Sequence, residues 1–236
     1  SEQTAVYKQC LVGEGWNVCD LTGGLGIDSY FISRKAGHLT YIERFPAYCE
    51  AAEHNFSVLG ADNITVINAD TTQYINKLPE VDAFYIDPAR RGECNKRVFA
   101  LQDCEPDLPG LLPELLKRSP RVMAKLSPMA DIQMTLGLLP GTTSIHVLSV
   151  KNECKELLFV TERETKNGNP AIHCINFGSD GMQSFLFTVE EERSAELIVA
   201  GQVAGYLYEP NASVLKAGAF KQIAVKMGVE KLQVSS

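Results

Sequence analysis

The sequence predicts an α/β fold: a doubly wound, mostly parallel sheet of seven strands followed by a small α+β C-terminal domain. Three observations carry this. Apolar, β-rich runs of strand length alternate with segments of helical period. A glycine-bearing stretch, Asp20-Leu-Thr-Gly-Gly-Leu-Gly26, joins the first strand-like run to the first helix-like one. After about Glu164 the texture changes to turn residues followed by two short apolar runs.

In chain order, strands are expected at 17–20, 38–43, 64–69, 82–87, 121–127, 143–149 and 156–161. A helix follows Gly26. A better-defined one runs from Pro46, a favoured first-turn residue, to about Leu59, with Ala52, Phe56 and Leu59 on one face and Gly60 to end it. Another is expected around 131–138. The stretch 92–110, with Pro106, Pro109 and Gly110, reads as a long loop. Only "KNECKE" (151–156) separates the last two strands, too little for a crossover helix, so they are expected to form an antiparallel hairpin. The division is therefore 1–164 and 165–236. In the second part "TKNGNP" is a linker, and "AIHCINF" and "QSFLFTV" form a hairpin through "GSDGM". Residues 212–228 are read as a helix with a core-facing stripe of Ala217, Phe220, Ala224 and Met227. Lys216, Lys221 and Lys226 wind around that helix and form no organised basic face.

Composition narrows the partners. The 236 residues are 45% hydrophobic, ordinary for a core-forming protein. The seven cysteines (10, 19, 49, 94, 104, 154, 174) never fall as CxxC or near a histidine at metal-ligand spacing. No metal site and no disulfide framework is expected, and reduced thiols suit a cytoplasmic protein. No run approaches the ~18 apolar residues of a membrane span, and no basic-then-apolar leader opens the chain. The first methionine is Met123, so the chain is expected to be a processed product or an excised piece. A net charge of −7 argues against unspecific adhesion to nucleic acid. Two basic islands stand against that background: Arg90, Arg91, Lys96 and Arg97 in the first, and Lys117, Arg118, Arg121 and Lys125 in the second.

A ligand of a doubly wound sheet lies at the carboxyl ends of its strands, beside the first loop. A nicotinamide dinucleotide asks for GxGxxG, whereas here Gly24 and Gly26 are followed by Ser29. Asp20, in front of the glycines, would repel a pyrophosphate but suits a cationic ligand. S-adenosylmethionine, with its sulfonium, is such a ligand. Glu43 ends the second strand about 20 residues after the glycines, where a carboxylate accepts from ribose hydroxyls. Asp70 ends the third, within reach of an adenine amine, and Asp87 ends the fourth, over the methyl-transfer position. Each has an ordinary reading as well: Asp20 as a helix cap, Glu43 as surface, Asp70 as an N-cap and Asp87 as a turn former before proline. Their recurrence at four consecutive strand ends favours a shared function.

The stretches "DLTGGLGIDSYFIS", "YIER", "INAD" and "YIDPARRG" resemble the motifs of class I S-adenosylmethionine-dependent methyltransferases, over roughly residues 15–162. That resemblance implies a Rossmann-like methyltransferase fold and S-adenosylmethionine as cofactor, held by Asp20, Thr22, Gly23, Gly24, Gly26, Asp28, Glu43, Asp70 and Asp87. More narrowly, "DPARRG" followed by "RVFALQDCEPDLPGL", with the late "YLYEPNASVLKAGAF", resembles a bacterial group with a THUMP-like C-terminal part, which is expected to be truncated in this sequence. THUMP domains proper bind RNA in transfer-RNA-modifying enzymes, so the resemblance implies an RNA substrate.

The residues also constrain the transfer. Enzymes that methylate base amino groups often carry a second proline and an aromatic ring after the acid, for stacking on a flipped base, and Asp87-Pro88-Ala89-Arg90 has neither. Carbon-5 methylation of uridine needs a cysteine nucleophile. The corresponding place holds Ser127-Pro128, and a hydroxyl is a poor substitute for a thiolate. Direct in-line transfer to nitrogen or oxygen remains. In it Asp87 hydrogen-bonds the attacking group and Pro88 holds that carboxylate rigid. Arg90 and Arg91 stand at the mouth, on phosphate or carboxylate or paired with the chain's own acids. The competing readings are a non-catalytic scaffold that binds cofactor or RNA, and a dinucleotide oxidoreductase.

Overall fold

The computed structural model describes residues 1–90, 101, 104–165, 168–202 and 205–233, with Arg90 described by its backbone alone. The chain opens with a helix the sequence pattern does not announce, α1 (Glu2–Gln9), capped by the Ser1 hydroxyl. The first half then alternates strand and helix: β1 (Asn17–Asp20), α2 (Ile27–Ser33), β2 (His38–Glu43), α3 (Pro46–Val58), β3 (Ile64–Asn68), α4 (Thr71–Tyr74) and β4 (Ala83–Ile86). Two-residue strands β5 (Ala89–Arg90) and β6 (Cys104–Glu105) pair with each other, and α5 (Leu108–Arg118), β7 (Arg121–Leu126) and α6 (Ile132–Leu138) follow. The long strands β8 (Thr142–Val150) and β9 (Glu153–Glu162) form the expected hairpin. They precede a second hairpin of β10 (Ala171–Gly178) and β11 (Gly181–Thr188), then α7 (Val189–Ser194), α8 (Ala212–Ala217) and α9 (Gln222–Met227).

One sheet holds nine strands in the order β11-β10-β8-β9-β7-β4-β1-β2-β3. All seven expected strands are in it. From β3 to β7 every pairing is parallel, and β9 inserts antiparallel between β7 and β8. The hairpin expected after residue 164 adds the other two strands, because β10 pairs in parallel with β8 from Ser144 to Val150.

Alternation along the strands builds a core on each face. In β4, Phe84 and Ile86 join one cluster with Cys19, Leu108 and Leu112, while Ala83 and Tyr85 join the other with Val18, Ile32, Ala52 and Phe56. With both faces covered by helices, the polar ends of β1, β2, β3 and β4 meet on one rim.

Three expectations are corrected. Within 92–110, residues 92–100 lie outside the described part, but Cys104–Glu105 is a strand and Leu108 opens α5, where Asp107 accepts from the Gly110 amide as N-cap. The helix over 212–228 is two helices, because Gly218 adopts φ +74° and ends α8. Its stripe does not hold either: Ala224 is buried, but Phe220 and Met227 are 46% and 61% exposed. In α3, Ala52 and Phe56 are buried, and Leu59 stands exposed at the C-cap.

Candidate functional site

The rim carries a cavity of about 260 Å³. Its lining includes Thr22, Gly24, Glu43, Asp70 and Asp87, five of the expected site residues, brought together from four strand ends. Arg44, Phe45, Tyr48, Ala69, Thr71, Ala89, Glu105 and Pro106 complete much of the wall. Phe45 and Tyr48, which the sequence pattern does not single out, meet edge to face at 5.6 Å and give the cavity an aromatic side. Their position directly after Glu43, at the end of β2, was the available signal.

The loop after β1 is fixed by backbone bonds. Leu21 N–H donates to Tyr85 O at 2.9 Å and Gly23 N–H to Ile42 O at 2.8 Å, so the turn is pinned to both neighbouring strands. Gly24 adopts φ +55°, which a side chain rarely permits. Its amide donates to Glu43 Oε2 at 2.9 Å and its carbonyl accepts the Tyr41 hydroxyl at 2.5 Å. At Gly23 a Cβ would overlap the Tyr41 ring. Gly26 closes the loop at φ +77° as the N-cap of α2.

The four strand-end acids differ in environment. Glu43 is buried rather than surface, and its second oxygen accepts the Phe45 amide at 2.8 Å. Asp70 is the N-cap of α4, accepting from Thr72 N–H at 2.8 Å. The Thr72 hydroxyl also donates to it at 2.5 Å, and that bond leads in holding its pKa below the usual carboxylate value. Asp20 is 1% exposed and is absent from the cavity lining. Its oxygens accept Thr22 N–H at 3.0 Å and the Ser29 hydroxyl at 2.5 Å, and burial pushes its pKa up to about 7 against those bonds. It shapes the glycine loop from beneath.

Asp87 lines the cavity together with Glu43, Asp70 and Glu105, and 38% of its side chain is exposed. Its amide donates to the Thr22 hydroxyl at 2.6 Å, tying the end of β4 to the glycine loop, and the buried Pro88 follows. Behind it stands a cluster that strand-end reasoning did not anticipate. Lys125 Nζ pairs with Asp87 and lies 3.3 Å from Asp28 Oδ2. Lys8 Nζ lies 3.0 Å from Asp28 Oδ1 and 2.6 Å from Glu156 Oε1, and the Tyr85 hydroxyl donates to Asp28 Oδ2 at 2.6 Å. Burial raises the Asp87 pKa despite Lys125, whereas for Asp28 the two lysines overcome burial and lower it. Burial works against the Lys125 ammonium, but Asp87 and Asp28 hold its pKa above the ordinary lysine value. Asp28 thus belongs to this cluster and not to the cavity wall.

The second basic island is mostly paired within the chain, with the Lys117 side chain 71% exposed. Lys117 and Arg118 pair with Glu114, and Arg121 pairs with Glu162 at 2.5 Å and stacks its guanidinium 5.1 Å from the Trp16 ring centroid. Lys125 is in the cluster above. Of the first island, Arg90 lies in β5 opposite Cys104, while Arg91, Lys96 and Arg97 fall outside the described residues. Among the described residues no group of three or more His, Cys, Asp or Glu could hold a metal ion. No helix among them is long and apolar enough to cross a membrane.

Comparison with known proteins extends this picture. Residues 206–236 match the family model of a ferredoxin-like domain, over the part where a THUMP-like one is expected. Protein-L-isoaspartate O-methyltransferase from Brucella anthropi is 30% identical over 132 residues, 56% of this chain and 54% of that protein. A crystal structure of a candidate methyltransferase from Porphyromonas gingivalis W83 superposes with a TM-score of 0.91 at 39% identity, covering 98% of this chain and 58% of that one. A S-adenosylmethionine-dependent O-methyltransferase from Thermotoga maritima gives a TM-score of 0.52 at 16% identity over 70% of this chain and 66% of that one, a likeness of fold alone. The chain thus spans a little over half the length of the first two. Its sheet order and these structures make the fold the Rossmann-like one of class I methyltransferases.

Proposed function

We propose that this chain is the methyltransferase part of an S-adenosylmethionine-dependent enzyme that transfers a methyl group directly to a nitrogen or oxygen of RNA. The observation that carries the cofactor reading is the convergence of Thr22, Gly24, Glu43, Asp70 and Asp87 on one cavity at the carboxyl ends of β1 to β4. The residues fit the group chemically. The cavity holds Glu43, Asp70, Asp87 and Glu105 against Arg44 alone, a surplus of negative charge that suits a sulfonium and opposes a dinucleotide pyrophosphate. Gly24 leaves the floor free of a side chain, and Phe45 and Tyr48 offer apolar faces to a purine.

When bound, S-adenosylmethionine supplies a methyl group already activated on sulfur. Glu43 would hold the ribose hydroxyls, Asp70 would face the adenine amine, and Thr22 with Gly24 would line the amino-acid end. Asp20 keeps the loop in shape from beneath. Asp87 would align the acceptor by hydrogen bonding and take up the proton that it loses, with Pro88 restricting the strand end and Arg90 near the mouth. The RNA part of the reading is supported by the family resemblance and by the basic segment 89–97. The second basic island lends it less, because Arg118, Arg121 and Lys125 are paired with acids of the chain, although Lys117 is exposed.

Calorimetric titration with S-adenosylmethionine and, separately, NADH tests the cofactor. Heat with the first alone supports the reading; no heat and no thermal shift at millimolar S-adenosylmethionine overturns it in favour of a scaffold. Labelled cofactor incubated with total RNA, protein and small-molecule fractions tests the acceptor, and label confined to the non-RNA fractions overturns the RNA choice. Asp87→Ala is expected to abolish transfer while keeping most cofactor affinity.

A further inference from the structure

The row of charges behind Asp87 runs Glu156, Lys8, Asp28, Lys125, Asp87, with contacts of 2.6, 3.0 and 3.3 Å followed by the Lys125–Asp87 pair. Its members come from five elements: β9, α1, α2, β7 and the residue that follows β4. Lys8 is 1% exposed. Buried ion pairs are poor devices for stability, since apolar residues of similar volume serve as well or better. A buried lysine is therefore better explained by what lies at the end of its row, and that end, Asp87, is an acid of the cavity wall.

Resting on the reading that Asp87 handles the acceptor's proton, we infer that Lys125 and Lys8 are positioning residues for Asp87. Lys125 orients the carboxylate and favours its charged form. Lys8 anchors Asp28, which would otherwise compete undivided for Lys125. The N-terminal helix α1 is by this route a working part of the site, although it does not line the cavity.

The groups facing Asp87 set the sign of the expected effects. Lys125 from β7 and Lys8 from α1 lower its proton affinity; Asp28 from α2 raises it, as does burial. Asp20 from β1 is a further negative neighbour, Tyr85 is on its own strand, and Glu43, Asp70, Glu105 and Arg44 share the cavity. Loss of Lys125 must therefore move the protonation of Asp87 to higher pH. Loss of Lys8 must do so less, and loss of Asp28 must move it to lower pH.

The test is carbon-13 NMR titration of the whole chain with labelled aspartate carboxyls, the Asp87 signal being assigned by its absence in Asp87→Asn. A rise in midpoint of about one pH unit in Lys125→Met, a tenfold change in proton affinity, is expected. A smaller rise in Lys8→Met, a fall in Asp28→Asn and recovery in Lys125→Arg complete the pattern. A purely structural role would alter unfolding but leave these midpoints alone, and unchanged midpoints in Lys125→Met and Asp28→Asn overturn the inference. Those two variants carry the test if Lys8→Met fails to fold. Calorimetry with S-adenosylmethionine on the same samples keeps the questions apart, since a wild-type chain that binds no cofactor sinks the proposed function whatever the midpoints do.

Discussion

Lys8 Nζ, on α1, stands 2.6 Å from Glu156 Oε1, on β9, and both residues are buried. Removing Glu156 leaves the buried Lys8 ammonium with Asp28 as its remaining acidic partner, so the cost stays below the about 3–5 kcal/mol of a fully unpaired buried charge. Glu156→Ala is expected to lower the unfolding free energy by about 1–3 kcal/mol, the scale of a lost hydrogen bond to a charged group, measured by urea denaturation. Joint replacement by Lys8→Met and Glu156→Leu is expected to recover much of the loss.

Gly23 packs directly against the Tyr41 ring, whose hydroxyl in turn holds the Gly24 carbonyl. Gly23→Ala should displace the ring and the loop together. The expected outcome is a destabilisation of about 1–3 kcal/mol from overpacking, accompanied by weaker binding of S-adenosylhomocysteine in calorimetry. Tyr41→Phe, which removes the hydroxyl and keeps the ring, should cost only about 1 kcal/mol.

Glu43 accepts from the Gly24 and Phe45 amides, one on each oxygen. Glu43→Gln must turn its amide nitrogen toward one of those donors. Cofactor affinity should fall by about 1–3 kcal/mol, the scale of a lost hydrogen bond to a charged group. Calorimetry at neutral pH reads it directly, and an unchanged affinity would remove Glu43 from the binding residues.

Asp20 has a pKa near 7 in place of the usual 3.8 because it is buried. Between those values the folded chain keeps a proton that the unfolded chain has lost, so the contribution of this group is full below about pH 4 and gone above about pH 7. Asp20→Asn keeps an oxygen for the Thr22 amide and does not ionise. Its stability relative to the wild type should rise between pH 4 and 7 and level off above, as followed by urea denaturation at several pH values.

Local signals located most of this architecture. Pro46 and Gly60 bracket α3, and alternating apolar runs mark the seven strands, because each of these depends on neighbours a few residues away. The same local logic put four acids at strand ends, and three of them line the cavity. What it could not supply was depth. Asp20 and Asp87 look alike in sequence, yet one lies beneath the loop and the other opens on the cavity. Lys8 was beyond reach, since a lysine reads as solvated until a distant strand is known to bring Glu156 beside it. In the basic run 117–125, Arg121 and Lys125 escape a local reading for the same reason, being paired with acids far along the chain, Glu162 and Asp87, while Lys117 stays exposed. In 212–228 helical period was present, but Gly218 divided it.

The parallel pairing of β10 with β8 gives the last third of the chain a protective duty. A chain trimmed at residue 164 would leave the β8 amides and carbonyls from Ser144 to Val150 as a raw margin, ready to template a neighbouring molecule. Such a shortened protein should self-associate, as light scattering would register, with the cavity at the other end of the strand order left intact.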